Sequence, residues 1–277
     1  MEFPRIPLGD WIESGLNWLT SEYSGVTRGI SRITQSGIDG LNDALMWLPD
    51  WSLLVIIVGL CWWLANTRLA IGAVVGLALI MDLGLWDPMI ETLTLVVIAT
   101  LVAVVIAMPV GIAAALSDRL YKTIMPILDF MQTMPAFVYL IPAIPFFGIG
   151  SVSAIFATVI FSMPPAIRFT TLGIRQVPGD LVEAADAYGA TRGQKLLKVQ
   201  LPLSLPTVMA GINQTIMLAL SMVVIAAMIG ADGLGSEVWR AIQRLRPGDG
   251  FEAGIAVVIL AMLLDRLTQS LRKKGKA

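Results

Sequence analysis

The residues of this chain that could do chemistry do not assemble into a catalytic constellation. Histidine is absent, so no Ser-His-Asp triad, imidazole metal ligand or histidine proton relay can be built from it. The one Gly-Lys pair, Gly275–Lys276, precedes Ala277, so the chain lacks a glycine-rich loop ending in Gly-Lys-Ser/Thr and has no recognisable ATP-binding loop. The one cysteine, Cys61, stands in an apolar run and cannot form an intrachain disulfide. What remains is a long charged segment, RQVPGDLVEAADAYGATRGQKLLKVQ over residues 175–200, a second charged stretch near 231–250, and a few charges and amides set into apolar runs. Groups of this kind couple, pair and line paths rather than break bonds.

The charged segment has a legible construction. Pro178-Gly179 stops the preceding helix. Asp180 is placed to cap a new helix, and Glu183, three residues on, to reach back to it. Gly189 is expected to supply a left-handed turn. A second short helix, about 191–199, then carries Leu196, Leu197 and Val199 beside Arg192, Lys195 and Lys198, and Pro202 sits in the first turn of the next helix. A helical hairpin of this size buries little by itself, so it needs a partner surface or the lipid interface. Glu183 is then either only a capping acid or also the group that meets a partner's cation. The three basic residues face that partner or lipid headgroups.

Charges inside apolar runs are costly and usually paired. Asp129 lies ~10 Å in from Lys122 along a helix, and Arg168 and Asp265 sit at comparable depth. Two pairings are open, Asp129–Arg168 and Asp265–Arg168. The alternative is that these groups and Arg266 snorkel to the inner interface. Asn213, Gln214, Thr215 and Ser221 are polar positions in one run, and Gln132 and Thr133 in an earlier one, beside Pro135, Pro142 and Pro145. Such groups bridge helices or line a wet path. Asn213 reads as a bridge; Gln132, Thr133, Gln214 and Ser221 read as path residues. Phe137 and Tyr139 offer aromatic faces to a quaternary ammonium, or else pack and close an outer gate.

The elements that position these residues are membrane spans. The chain is 56% hydrophobic and 14% charged, against about 25% charged in soluble domains, and its mean hydropathy is +0.78. That excludes an ordinary soluble enzyme and a disordered chain. A net charge of −1 gives no nucleic-acid footprint. Uncharged runs over 92–117, 130–167 and 199–231, with shorter ones flanking them, predict an all-α polytopic protein of seven spans. These lie near 49–66, 68–84, 90–117, 122–147, 151–175, 202–230 and 251–271. All six lysines, Lys122, Lys195, Lys198, Lys273, Lys274 and Lys276, then fall on one side, which the positive-inside rule makes cytoplasmic. The C-terminus is inside and the N-terminus outside.

Residues 1–48 form an acidic, lysine-free tail without the basic start of a cleavable signal peptide. Val26, Ile30, Ile33, Gly37, Leu41, Ala44 and Leu48 recur at helical spacing. They predict amphipathic helices on the outer surface, or a helical cap packed on the spans. Gly72 and Gly76 form a small-xxx-small pattern that can seat a neighbour. The outer loop 231–250 is expected to hold a short amphipathic helix between Gly233 and Pro247-Gly248.

Glu183-Ala184-Ala185, three residues, Gly189, nine residues, Val199, one residue, and Leu201-Pro202 resemble the EAA loop of ABC-importer permeases. Val199 stands where the family has Ile. PAFVYLIPAIPFFGIG (135–150), MPPAIRFTTLGIRQVPGDLVEA (163–184), KVQLPLSLPTVMAGINQTIMLALSMVVIAAMIGADGLG (198–235) and LLDRLTQ (263–269) extend the resemblance to the ProW-type permeases of betaine importers, over roughly 85–270. The resemblance implies a type I ABC-importer permease fold in the bacterial inner membrane. It implies a core over 85–271 with a coupling loop at 178–200, two accessory spans over 49–84 and a basic cytoplasmic tail at 272–277. It further implies a homodimer, a cytoplasmic ATPase dimer that binds ATP and Mg, and a periplasmic substrate-binding protein. The permease itself holds no cofactor and is not an enzyme. Glu183, Ala184, Ala185, Gly189, Arg192 and Lys195 would contact the ATPase, and the cargo would be glycine betaine, proline betaine or choline. Another small cargo, such as trimethylamine N-oxide or an amino acid, is the alternative within this class. A self-contained secondary transporter would need midplane coupling charges and internal repeats, and the sequence has no evident inverted repeat.

Overall fold

A computed structural model describes residues 7–274, with side chains to residue 270. The basic tail read at 272–277 lies outside the described side chains. The described elements are helical: α1 Leu8–Glu22, α2 Ser24–Met46, α3 Asp50–Leu64, α4 Thr67–Asp82, α5 Trp86–Leu116, α6 Asp118–Thr133, α7 Leu140–Phe147, α8 Ser151–Arg175, α9 Gly179–Ala187, α10 Arg192–Lys195, α11 Leu201–Ala226, α12 Leu234–Gln243 and α13 Pro247–Lys274.

Among the described residues, α5, α8 and the continuous helix Arg192–Ile229 are each long and apolar enough to cross a membrane. Two bent pairs reach that standard together: α2 with α3 across 98°, and α6 with Ala136–Phe147 across 110°. The expected span over 122–147 is therefore sharply bent, with its break at Met134–Pro135. Met134 is extended, with ψ 135°, because the residue before a proline is driven out of the helical region. Pro135 then restarts the chain as a 3₁₀ turn, Ala136–Tyr139. α3 and α4 have 15 and 16 residues, about 22–24 Å of helix against a hydrocarbon core of about 30 Å. The last long helix starts at Pro247, four residues before the expected 251, because a proline is well placed in a first turn.

The core is a three-helix pack of α5, α8 and α11, in which α8–α11 is the most extensively packed pair. Lipid offers no hydrophobic drive for helix pairing, so spans hold together by close fit at small residues. Gly211 of α11 shows this. A Cβ there would stand 2.6 Å from the Phe169 Cβ and 3.2 Å from the Pro165 carbonyl oxygen. Gly76 of α4 seats Ile259 of α13 in the same way, while Gly72 of the same pattern meets nothing.

Side-chain and backbone hydrogen bonds tie the end of the bundle opposite the hairpin. Thr92 accepts from the Leu234 N–H at 2.8 Å, which fastens α12 to α5. The Gly150 N–H donates to the Ile229 carbonyl at 2.9 Å, joining the α7–α8 turn to the end of the long helix. α2 lies on α5, α7 and α8 through a face that buries Ile38. Val26, Ile30 and Ile33, on which the amphipathic reading was based, are exposed in the single chain.

Candidate functional site

Residues 178–200 form a hairpin of α9 and α10 emerging between α8 and α11. α9 starts at Gly179, with Pro178 at its N-cap and no side-chain cap. The expected capping box of Asp180 and Glu183 is not formed. Proline's ψ of 131° already sets the helix entry, so Asp180 falls at the second helical position and Glu183 is too deep to reach back. The box forms instead at the second limb. Thr191 accepts from the Gln194 N–H at 3.3 Å, and the Gln194 side chain accepts from the Thr191 N–H at 2.9 Å.

The bend between the limbs is a Schellman motif. Gly189 has φ +74°, its N–H donates to the Asp186 carbonyl, and the Ala190 N–H donates to that of Ala185. The two end bonds satisfy carbonyls that the helix terminus leaves open. Lys195 Nζ then closes the hairpin on the Asp186 carboxylate at 2.7 Å, a partner that the sequence reading missed. Lys195 positions one limb against the other, while Glu183, Ala184 and Arg192 are exposed and Ala185 is half-buried. Tyr188, at the tip, is 94% exposed.

The second limb does not end at residue 199 as the sequence suggested. A π turn, Leu196–Gln200, carries the helix on, the Leu201 N–H donating to the Leu196 carbonyl. Pro202 has no N–H to offer and its ring crowds the carbonyl four residues back. The wider turn absorbs that misfit without a break, so Arg192–Ile229 is one helix of 38 residues.

Next to the hairpin, α6 and α8 are laced by charge. Arg168 meets Asp129 at 2.5 Å. One heptad further on, Arg175 meets Asp118 at 2.6 Å and stacks over the Tyr121 ring, 4.2 Å from its centroid. Asp265 does not join Arg168. It accepts from the Asn213 Nδ2 at 2.9 Å and from Gln269, so Asn213 bridges α11 to α13.

A cleft of about 380 Å³ opens between α6, α8 and α11, lined by Gln132, Phe161, Pro165, Arg168, Phe169, Gln214 and Leu218. Gln132 and Gln214 are thus brought together. Thr133 and Ser221 lie outside this lining, and each donates to a carbonyl of its own helix, Phe130 and Met217. Phe137 is exposed, whereas Tyr139 is buried. The Tyr139 hydroxyl donates to the Met131 carbonyl at 2.5 Å and its ring meets Phe161 edge-on at 5.7 Å, which makes it a packing residue at the break. Among the described residues no group of three or more His, Cys, Asp or Glu could hold a metal ion.

Apolar helices packed through small residues, with a charged hairpin rising between the two that pack most closely, define the class: an all-α, multi-pass membrane component. The chain belongs to the family of binding-protein-dependent transport system inner membrane components, which it matches over residues 107–274. It is 50% identical over 274 residues to the glycine betaine transport system permease protein OpuAB of Bacillus subtilis, covering 99% of this chain and 97% of that one. It is 44% identical over 272 residues to the glycine betaine/proline betaine transport system permease protein ProW of Escherichia coli, covering 98% and 77%. Among solved structures, a chain of an inward-facing MetNI methionine ABC transporter superposes with a TM-score of 0.63 at 24% identity, over 69% of this chain and 95% of that one. That likeness concerns the fold, which is the importer-permease fold.

Proposed function

We propose that this chain is the permease of an ATP-driven importer for a quaternary-amine solute such as glycine betaine, proline betaine or choline. The names of its relatives support the cargo. Two copies pair across a central path, a cytoplasmic ATPase dimer binds ATP and Mg, and an external binding protein delivers the solute. The chain itself performs no chemistry. The lysine distribution supports an orientation with the hairpin and the C-terminus inside and the N-terminus outside.

The observation that carries the reading is the mechanical continuity of the hairpin. One limb follows α8 through a tight turn, and the other runs into the 38-residue helix. When the ATPase closes, a push on Glu183, Ala184, Ala185, Gly189, Arg192 and Lys195 is delivered to the α8–α11 pair as one body. Packed helices shift between discrete arrangements rather than deform smoothly, so the push switches access to the path. Hydrolysis resets it.

Reconstitution with the ATPase and the binding protein tests this. Uptake of glycine betaine should require ATP and both partners. Glu183→Lys should abolish uptake while membrane insertion stays normal. Uptake by the permease alone, or normal uptake by the variant, would refute the reading.

A further inference from the structure

The cleft between α6, α8 and α11 is chemically uneven in a way that path lining alone does not require. Phe161, Pro165, Arg168 and Phe169 are spaced i, i+4, i+7 and i+8 on α8, so one helix face brings two phenylalanines and an arginine to the same 380 Å³ space. Gln132 and Gln214 complete the wall from α6 and α11. Phe169 is held in place by the close approach at Gly211, where any Cβ would strike it. Phe161 is held by the buried Tyr139.

Arg168 is only partly used. Its Nη2 donates to Asp129, but its Nε is buried without an acceptor. A buried donor of a charged group left unmatched costs free energy, and the residue that carries it is part of the cleft wall. A carboxylate is the acceptor that suits a guanidinium, which can donate to Asp129 and to a second anion at once. Phenyl faces attract a quaternary ammonium, which has no N–H to satisfy and is easily desolvated.

We infer that this cleft is a substrate station within the permease, binding a small zwitterion that carries both a carboxylate and a quaternary ammonium. Arg168 receives the carboxylate, Phe161 and Phe169 flank the cation, and the two glutamines hydrogen-bond what remains polar. Within the quaternary-amine cargo class the station favours the betaines over choline, which lacks the carboxylate. It deepens the importer reading and rests on it for the identity of the cargo.

Labelling protection tests the station in the complex of this permease with its ATPase, with the binding protein left out. In a Cys61→Ala background, Leu218→Cys puts one thiol on the cleft wall, and a neutral maleimide reports its accessibility. Glycine betaine at about four times its dissociation constant should slow labelling about fivefold by simple occupancy, and choline at the same concentration should do so far less. Arg168→Gln should remove the protection. Because that change also breaks the Asp129 pair, Phe161→Leu and Phe169→Leu, which keep volume and lose the π face, should each weaken protection as well. The inference is overturned if saturating glycine betaine leaves labelling unchanged in a complex that transports it. It is equally overturned if protection persists through all three substitutions. ATP-dependent uptake with the binding protein restored is measured on the same preparations. Its absence in the parent chain would sink the importer reading, whereas protection reports on the cleft alone.

Discussion

The three-helix core and the hairpin between α8 and α11 are stabilised in opposite ways. In α5, α8 and α11 the contacts are dry and close. Ala99, Ala103, Ala107, Ala157, Ala219 and Thr215 are essentially inaccessible, and Gly211 lets α8 and α11 approach until no added atom would fit. The hairpin has no fully buried residue in α9 or α10. It keeps its shape through a Schellman bend, a capping box and one ion pair. A packed core transmits displacement because it cannot compress. A surface hook can be pre-shaped by local bonds and leave its apolar tip free for a partner. Rigidity is built into both regions, by volume in one and by hydrogen bonding in the other.

That contrast can be broken most severely in the core. Gly211→Val should give the largest effect, since overpacking a close helix crossing costs about 1–3 kcal/mol or more. The expected result is a clear fall in the melting temperature of the detergent-purified permease, read by thermal-shift, together with loss of uptake. Gly189→Val should separate the regions. A branched side chain at φ +74° is strained by about 1–2 kcal/mol, so coupled ATP hydrolysis should fall strongly while the melting temperature of the spans stays near that of the parent. An equal loss of thermal stability would show that hairpin and core are one cooperative unit.

Smaller effects sharpen the comparison. Thr191→Ala removes the cap of the second limb, worth about 1 kcal/mol, and should lower coupled activity several-fold, with Thr191→Ser restoring it. The Lys195–Asp186 pair is partly exposed and such pairs contribute about 0–1 kcal/mol. Lys195→Asp and Asp186→Lys should each reduce coupling modestly, and the double exchange should restore it. If the exchange stays as defective as Lys195→Asp alone, Lys195 acts on the ATPase rather than within the hairpin.

Some of this was readable from residue types. The hairpin, its glycine bend and the apolar runs follow from local rules: charge is expelled from lipid, glycine tolerates positive φ, and periodicity marks helix faces. The Asn213 bridge was legible because an amide set in an apolar span finds a partner on a neighbouring helix. The capping box was misplaced because Pro178 sets the entry of α9 and leaves Asp180 inside its first turn, while the box that forms, at Thr191, caps the separate second limb. The continuity through Pro202 was hidden because a proline normally signals a beginning; a π turn is a local compromise with no residue signature. Asp186 was missed as the partner of Lys195 because a contact across nine residues depends on how tightly the bend closes.

By itself, the order of the residues determined that this is a helical membrane protein, that it does no bond-breaking chemistry with histidine or a phosphate-binding loop, and where its one charged hairpin lies. Those are consequences of composition and of the cost of burying charge in lipid, which act on each segment separately. Only the tertiary structure decided that Arg168 pairs with Asp129 and not with Asp265, that Tyr139 packs while Gln132 and Gln214 share a cleft, and that hairpin and span are one helix. Each of those outcomes depends on distances between segments far apart in the chain, which are set by how closely small residues allow the helices to meet.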